Sequence, residues 1–358
     1  MRDSVNEEHT GRARPRKGFS DMSRSPLHRV LVVGVGSIGE RHLRCFGRTG
    51  RADVGLVEVN AAVRDTVAAR YGVTRSFAEL DAALAAGFEA AVVATPAHLH
   101  VPVATRLAEA GLDLLIEKPL STGLDGIESL RRSVAERGGI AAVAYNYRAM
   151  APLAALRDAV VSGRFGRALE IVACCGQHFP FYRPAYREIY YRDRATGGGA
   201  VQDALTHVLN AAEWTVGPTQ RLVADAAHLA LEGVDVEDTV HVLARHAGVL
   251  ASYSLNQHQA PSEVTLTVVC ERGTARFEAH ENRWRWAVEP GAPWRDEPFP
   301  AAERDDAYLR QAELFLDARE RKGTVACTLE EGLQTLRVNL AILASLDTGG
   351  WVEIGGVK

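Results

Sequence analysis

Three short segments carry the residue types able to do chemistry. In the first, Gly34-Val35-Gly36-Ser37-Ile38-Gly39 follows a β-branched run and opens a helical stretch. Gly34 permits a tight turn, Gly36 lets backbone approach a pyrophosphate, and Gly39 lets the helix pack on the strand. Ser37 and Ile38 begin the helix whose N-terminus would hold the anion. Glu58, 19 positions beyond the last glycine and at the end of the next apolar run, offers a carboxylate to the ribose hydroxyls and repels a 2′-phosphate. The expected cofactor is NAD, with NADP disfavoured, although Arg64 one turn further on could soften the preference.

The second segment is Ile116-Glu117-Lys118-Pro119-Leu120. Only four of the 41 basic residues are lysines, and Lys118 is the sole one between Lys17 and Lys322. It follows an apolar strand directly, and in a doubly wound sheet the crevice lies at the carboxyl ends of the strands, beside the nicotinamide. The third segment places Asp203, His207 and Asn210 at i, i+4 and i+7 after Gly197-Gly198-Gly199, on one helix face. Alone, such a pair is ordinary helix surface. Beside a dinucleotide fold and Lys118 it becomes an acid–base set.

Positioning these groups takes two domains, because 358 residues exceed a single core. Hydrophobic residues make up 47%, charged residues 24%, and the net charge of -4 excludes a nucleic-acid or membrane surface as the expectation. No segment is long and apolar enough to span a bilayer. Apolar runs at 30–35, 54–59, 90–94, 112–116 and 140–144 alternate with amphipathic stretches. They predict an NAD-binding Rossmann domain over 27–147, an α/β unit with a doubly wound parallel sheet. Longer alternating runs at 168–178, 221–231, 239–247, 249–257, 264–271 and 274–280 predict an α+β domain over 148–358 with a large, mainly antiparallel open sheet. Helices at 203–215, 306–321 and 329–345 are expected to cover one of its faces. The uncovered face suggests a homodimer or homotetramer.

Three of these stretches, GVGSIG, Ala94-Thr95-Pro96-Ala97-His98-Leu99-His100 and EKPL, together resemble the Gfo/Idh/MocA oxidoreductases, a family of sugar and cyclitol dehydrogenases. The likeness continues through Tyr145-Asn146-Tyr147-Arg148 and the glycine cluster followed by Asp203 and His207. The resemblance implies catalytic roles for Lys118, Asp203 and His207. It places Gly34, Gly36, Gly39, Glu58, Thr95, Pro96 and Glu117 around the cofactor, His100 shaping the cofactor loop, and Tyr147 and Arg148 toward substrate. Asn210 stands where the family commonly has an acidic residue that meets substrate, and Leu205 where it often has glycine.

The implied activity is NAD-dependent hydride transfer from a secondary hydroxyl of a carbohydrate, cyclitol or nucleotide-linked sugar. An imidazole titrates near 6.5, whereas a lysine base would have to surrender its proton at a cost of about 4 kcal/mol. His207 is therefore expected as the acid/base, Asp203 as the group that orients it, and Lys118 as the partner of the alkoxide. The alternative is a non-catalytic dinucleotide-responsive sensor on the same fold, which would be expected to lose the lysine or the histidine. A short-chain-type reductase needs Tyr-x-x-x-Lys, which is absent, and a zinc alcohol dehydrogenase lacks its ligands.

Residues 178–194 hold Tyr182, Tyr186, Tyr190 and Tyr191 with Arg183, Arg187, Arg192 and Arg194. This suits a lid over a phosphorylated, nucleotide-linked or acidic sugar, with Tyr182 and Arg183 toward substrate, and it equally suits a subunit contact. Cys45, Cys174, Cys175, Cys270 and Cys327 are odd in number and scattered, so no metal site or disulfide framework is expected and the location is read as cytoplasmic. Residues 1–26 are polar and Arg-rich without an apolar core, a disordered tail rather than a secretory signal, and Met22 is a natural-looking start.

Overall fold

The computed structural model describes residues 27–356; the expected tail over 1–26, with Met22, lies outside them. The first sheet contains β1 (His28–Val33), β2 (Ala52–Val57), β3 (Ser76–Phe77), β4 (Ala90–Val93), β5 (Asp113–Ile116) and β6 (Ala141–Val143). All pairs are parallel and the spatial order is 3-2-1-4-5-6. Parallel neighbours require crossovers, supplied by α1 (Ser37–Arg48), α2 (Ala61–Tyr71), α3 (Leu80–Leu84), α4 (His100–Glu109) and α5 (Ile127–Glu136). Leu31, Val93 and Leu114 pack under α4 and α5, while Val30, Val32 and Leu115 pack under Leu43 and Phe46 of α1. Burial on both faces is why these strands are continuous apolar runs.

After α6 (Ala151–Val161), a second sheet contains β7 (Ala168–Gly176), β8 (Thr219–Ala227), β9 (Thr239–His246), β10 (Val249–Asn256), β11 (Glu263–Cys270), β12 (Gly273–Glu278), β13 (Arg283–Ala287), β14 (Arg295–Pro298) and β15 (Val352–Glu353). Its order is 14-13-12-11-7-10-9-8-15, antiparallel except between β7 and β10. Strand β9 shows the rule: Val240, Val242 and Ala244 are buried while His241, Leu243 and Arg245 alternate outward. The inner face packs under α6, α8 (Thr206–Val216) and the second half of α10 (Leu329–Thr348). A four-residue helix, α7 (Phe179–Tyr182), lies in the irregular connection between β7 and α8.

The helix α9 (Asp306–Arg319) differs from expectation. Its Ala312, Phe315 and Leu316 join the core of the first sheet, where Phe315 meets Phe46 edge-on with ring centroids 6.0 Å apart. An apolar stripe specifies burial but not against which sheet. Helix α10 is shared: Leu329, Leu333 and Leu336 belong to the first core, Val338, Ala341 and Ile342 to the second. Strand β8 ends at Ala227, short of the expected 231, because the Asp238 carboxylate takes the backbone N–H groups of Leu229, Ala230 and Leu231. Strands β13 and β14 were not expected: arginines frame the one buried residue of β13, Trp284, and β14 is wholly exposed.

Candidate active site

The cofactor side is built from backbone. A Cβ on Gly39 would lie 1.8 Å from the Gly34 carbonyl oxygen, so α1 approaches the turn as only glycine allows. Among the described residues, a Cβ above Gly36 would meet nothing within 4 Å, and no side chain caps the N-terminus of α1. First-turn amides lack intrahelical partners, so this open, uncapped end fits a pyrophosphate. Glu58 is held in place there: Oε2 accepts the Val35 N–H at 3.0 Å and Oε1 the Asn60 N–H at 2.9 Å, leaving lone pairs for a ribose. These residues fit a dinucleotide.

At the ends of β4 and β5, the ring nitrogens of His100 lie 2.7 Å from the Thr95 carbonyl and 2.9 Å from the Pro119 carbonyl, clasping the two loops. Pro96 follows Thr95 in the β4 loop, and among the described residues the buried Thr95 hydroxyl oxygen has no partner. Glu117, expected at the cofactor, is buried. Its Oε1 is 2.6 Å from His42 Nε2 on α1, and Oε2 accepts the Lys118 N–H at 3.0 Å. Burial works to raise its pKa, but the His42 contact together with the charge of Lys118 offsets this and the carboxyl sits below its usual value. Glu117 thus braces the strand end that carries Lys118.

Across the crevice the second sheet's connection closes in. Gly197, at φ 94°, would place a Cβ 2.8 Å from Ala97 Cβ in the β4 loop. Residues Val201–Leu205 then make a π-helical turn into α8. Lys118 Nζ donates to the Asp203 carbonyl oxygen at 2.7 Å and to Oδ1 at 3.3 Å. The Tyr190 hydroxyl donates to the same Oδ1 at 2.5 Å, and Arg183 Nη1 stands 3.6 Å from Oδ2. Burial alone would raise the Asp203 pKa; Lys118, Arg183 and Tyr190 hold it well below the usual carboxylate range instead.

His207 stacks on Tyr147, ring centroids 4.9 Å apart at 20°, and meets Tyr145 edge-on at 6.0 Å. Burial, then the charge of Lys118, keeps its pKa well below 6.5, so the ring is neutral at pH 7, and its buried Nδ1 has no partner among the described residues. No hydrogen bond joins it to Asp203 among the described residues, a departure from the expected orienting pair. Two cations and a phenol claim the Asp203 carboxylate, and the Tyr147 stack fixes the imidazole.

Lys118, Asp203, His207, Tyr147 and Arg183 therefore converge, while three expected substrate residues do not. Arg148 is buried and donates from Nε to Asn210 Oδ1 at 2.7 Å and from Nη1 to Glu331 Oε1 at 2.5 Å. Asn210 in turn donates to Thr335 Oγ1 at 2.9 Å, so both side chains tie α8 to α10 behind the crevice. Tyr182 is exposed, paired edge-on with Phe181. Two tyrosines were missed. Tyr190 was one aromatic among many in its segment. Tyr308 of α9 lies edge-on to His42 at 5.5 Å under the Arg41 guanidinium. Its phenol is pushed up to about 12 by burial and by the charge of Glu117, against the pull of Arg41 and Arg183. The helix had been assigned to the other sheet, so no sequence signal pointed there.

Residues 28–145 match the model for the oxidoreductase family with NAD-binding Rossmann fold, and residues 153–276 the GFO/IDH/MocA C-terminal domain. The rhizopine catabolism protein MocA of Rhizobium meliloti is 30% identical over 270 residues, 72% of this chain and 79% of that protein. The chain belongs to the Gfo/Idh/MocA family. Among other Gfo/Idh/MocA relatives, inositol 2-dehydrogenase of Leifsonia xyli is 28% identical over 324 residues, 83% of this chain and 86% of that one. Levoglucosan dehydrogenase of Pseudarthrobacter phenanthrenivorans is 25% identical over 308 residues, 73% of this chain and 79% of the relative. A levoglucosan dehydrogenase structure in complex with NADH shares the fold at TM-score 0.83 and 22% identity, covering 91% of this chain and 99% of its own. This Gfo/Idh/MocA chain is an NAD-binding oxidoreductase.

Proposed function

We propose that the chain oxidises a secondary hydroxyl of a carbohydrate or cyclitol, free or nucleotide-linked, in the crevice between its Rossmann domain (27–147) and its α+β domain (148–358). The observation that carries this reading is a neutral His207 with an unpartnered buried nitrogen in the same cluster as Lys118. NAD bound at the glycine turn supplies the hydride acceptor. His207 takes the hydroxyl proton as the carbinol hydride leaves, since a neutral imidazole needs no prior deprotonation. Lys118 holds the reacting oxygen and stabilises the charge growing on it. Asp203 positions Lys118 through its carbonyl and carboxylate oxygens, and Tyr147 positions His207 by stacking. The relatives' names, inositol 2-dehydrogenase and levoglucosan dehydrogenase, support the substrate class.

Five free thiols support a reducing, cytoplasmic setting. No helix of the described residues is long and apolar enough to cross a membrane. The outward face of the second sheet exposes Leu243 and Leu250 beside Val172 and Val223, which supports a homo-oligomer formed on that face. A panel of polyols, sugars and nucleotide sugars followed at the NADH absorbance with NAD and NADP tests the reading. Turnover of a neutral or charged polyol with NAD is the expected result; no hydride transfer to any member would sink it.

A further inference from the structure

Two cations flank the single carboxylate of Asp203. Lys118 and Arg183 both face one carboxylate, His207 is neutral, and Glu117, the residue before Lys118, is engaged by His42. Asp203 is itself occupied, with Oδ1 receiving Lys118 and Tyr190. Arg183 reaches Oδ2 only at 3.6 Å, through Nη1, beyond a normal hydrogen bond. Its remaining approaches are a cation–π contact over Phe179 at 5.4 Å and the phenol of Tyr190 beside it. Nearly half of its side-chain surface, 46%, stays open. Two neighbouring arginines differ, since Arg187 donates to the Glu232 carbonyl and Arg194 to the Glu237 carboxylate, each at 2.7 Å, while Arg192 is exposed.

A guanidinium has five donors in a planar fork suited to two oxygens of one anion. Here most of that fork is unused, beside a carboxylate that Lys118 and Tyr190 already occupy. We propose that the substrate bears an oxyanion, a carboxylate or phosphate, on the ring being oxidised, and that Arg183 binds it. This rests on the dehydrogenase reading and narrows its substrate class.

Placement on the ring follows from the geometry. Lys118, which holds the reacting oxygen, and Arg183 sit on the two oxygens of a single carboxylate. Both cations face the same carboxylate, so an anion held by Arg183 belongs to the ring whose hydroxyl Lys118 holds or to its immediate substituent.

The test uses the full chain with NAD and matched sets: glucose, glucuronate, glucose 6-phosphate and UDP-glucose, and the galactose counterparts. The expected result is a higher kcat/KM for the uronate or the ring phosphate than for the neutral sugar. In Arg183→Gln the anionic-to-neutral ratio of kcat/KM falls by on the order of 100-fold, mostly through KM, as loss of a charged hydrogen bond implies. Arg183→Lys restores part of it. The uronate and phosphate arms tell the two anions apart. Neutral sugars turned over as well as their acids, or a ratio that survives in Arg183→Gln, overturns the proposal while leaving the dehydrogenase reading intact. Turnover confined to UDP-glucose and UDP-galactose also overturns it. If no member is oxidised, the dehydrogenase reading fails, and calorimetric titration of the NADH complex with glucuronate and glucose 6-phosphate decides. Binding weakened in Arg183→Gln sustains the anion site, and no binding overturns it.

Discussion

The two walls of the crevice are made in different ways. On the Rossmann wall, backbone geometry fixes the site: a glycine at which any Cβ would collide with a carbonyl oxygen, an uncapped helix N-terminus and a carboxylate pinned by two amides. On the opposite wall, side chains from an irregular connection meet one buried aspartate, and an aromatic stack holds the imidazole. Backbone constraints accept few residue types at set spacings. Side-chain clusters tolerate more substitution, which is where one family can accommodate different substrates.

Breaking the second wall should cost chemistry without costing cofactor. His207→Ala and Lys118→Ala are each expected to lower kcat by on the order of 10²- to 10⁴-fold, while NADH affinity, read by fluorescence titration, stays near the parent value. If both variants retain most of their turnover, the roles given to these residues are wrong.

Behind that wall the expected effect moves from rate to stability. Arg148→Ala removes the guanidinium from Glu331, which keeps only its Thr328 contacts, and leaves Asn210 Oδ1 without its donor in a buried position. Truncating one member of a buried pair typically destabilises by about 3–5 kcal/mol; the half-exposed Glu331 carboxylate places this case at the lower end. Urea unfolding should show this, and the residual activity should keep the parent pH profile. A stable Arg148→Ala with a raised KM would instead return Arg148 to the substrate.

These contrasts explain what the sequence made legible. The glycine turn, Glu58 and the parallel order announced themselves because their spacing is dictated by covalent reach and close approach. Lys118 stood out only against a background of arginine. Arg148 and Asn210 were read toward substrate because side-chain direction is not encoded in spacing. Their turn toward α10 depends on Glu331 and Thr335, more than 100 residues away. Tyr308 was hidden by the same long-range problem, since α9 crosses back to the first sheet.

On the Rossmann wall, Glu58→Ala is expected to weaken NADH binding by about tenfold, the worth of roughly one hydrogen bond to a charged acceptor. It should also remove the repulsion that disfavours a 2′-phosphate. The ratio of kcat/KM for NAD to that for NADP is the measurement, and a ratio unchanged from the parent would mean that Glu58 serves the turn alone through its contacts with Val35 and Asn60.

The smallest effect is a displacement along the pH axis. Burial and the charge of Lys118 place the folded pKa of His207 below 6.5. The free base therefore survives at pH values where a solvent-exposed histidine would be half protonated, and kcat/KM should stay level through pH 6.5 and bend downward only below it. The same depression acts on stability. The unfolded chain binds the His207 proton below about pH 6.5 and the folded chain does not, so this contribution is present above that pH and is lost as pH falls beneath it. In His207→Gln the loss of stability between neutral and mildly acidic pH should be smaller than in the parent. An acid limb at or above 6.5 would show that the ring is not held neutral by its surroundings, and would shift the burden of proton removal toward Lys118.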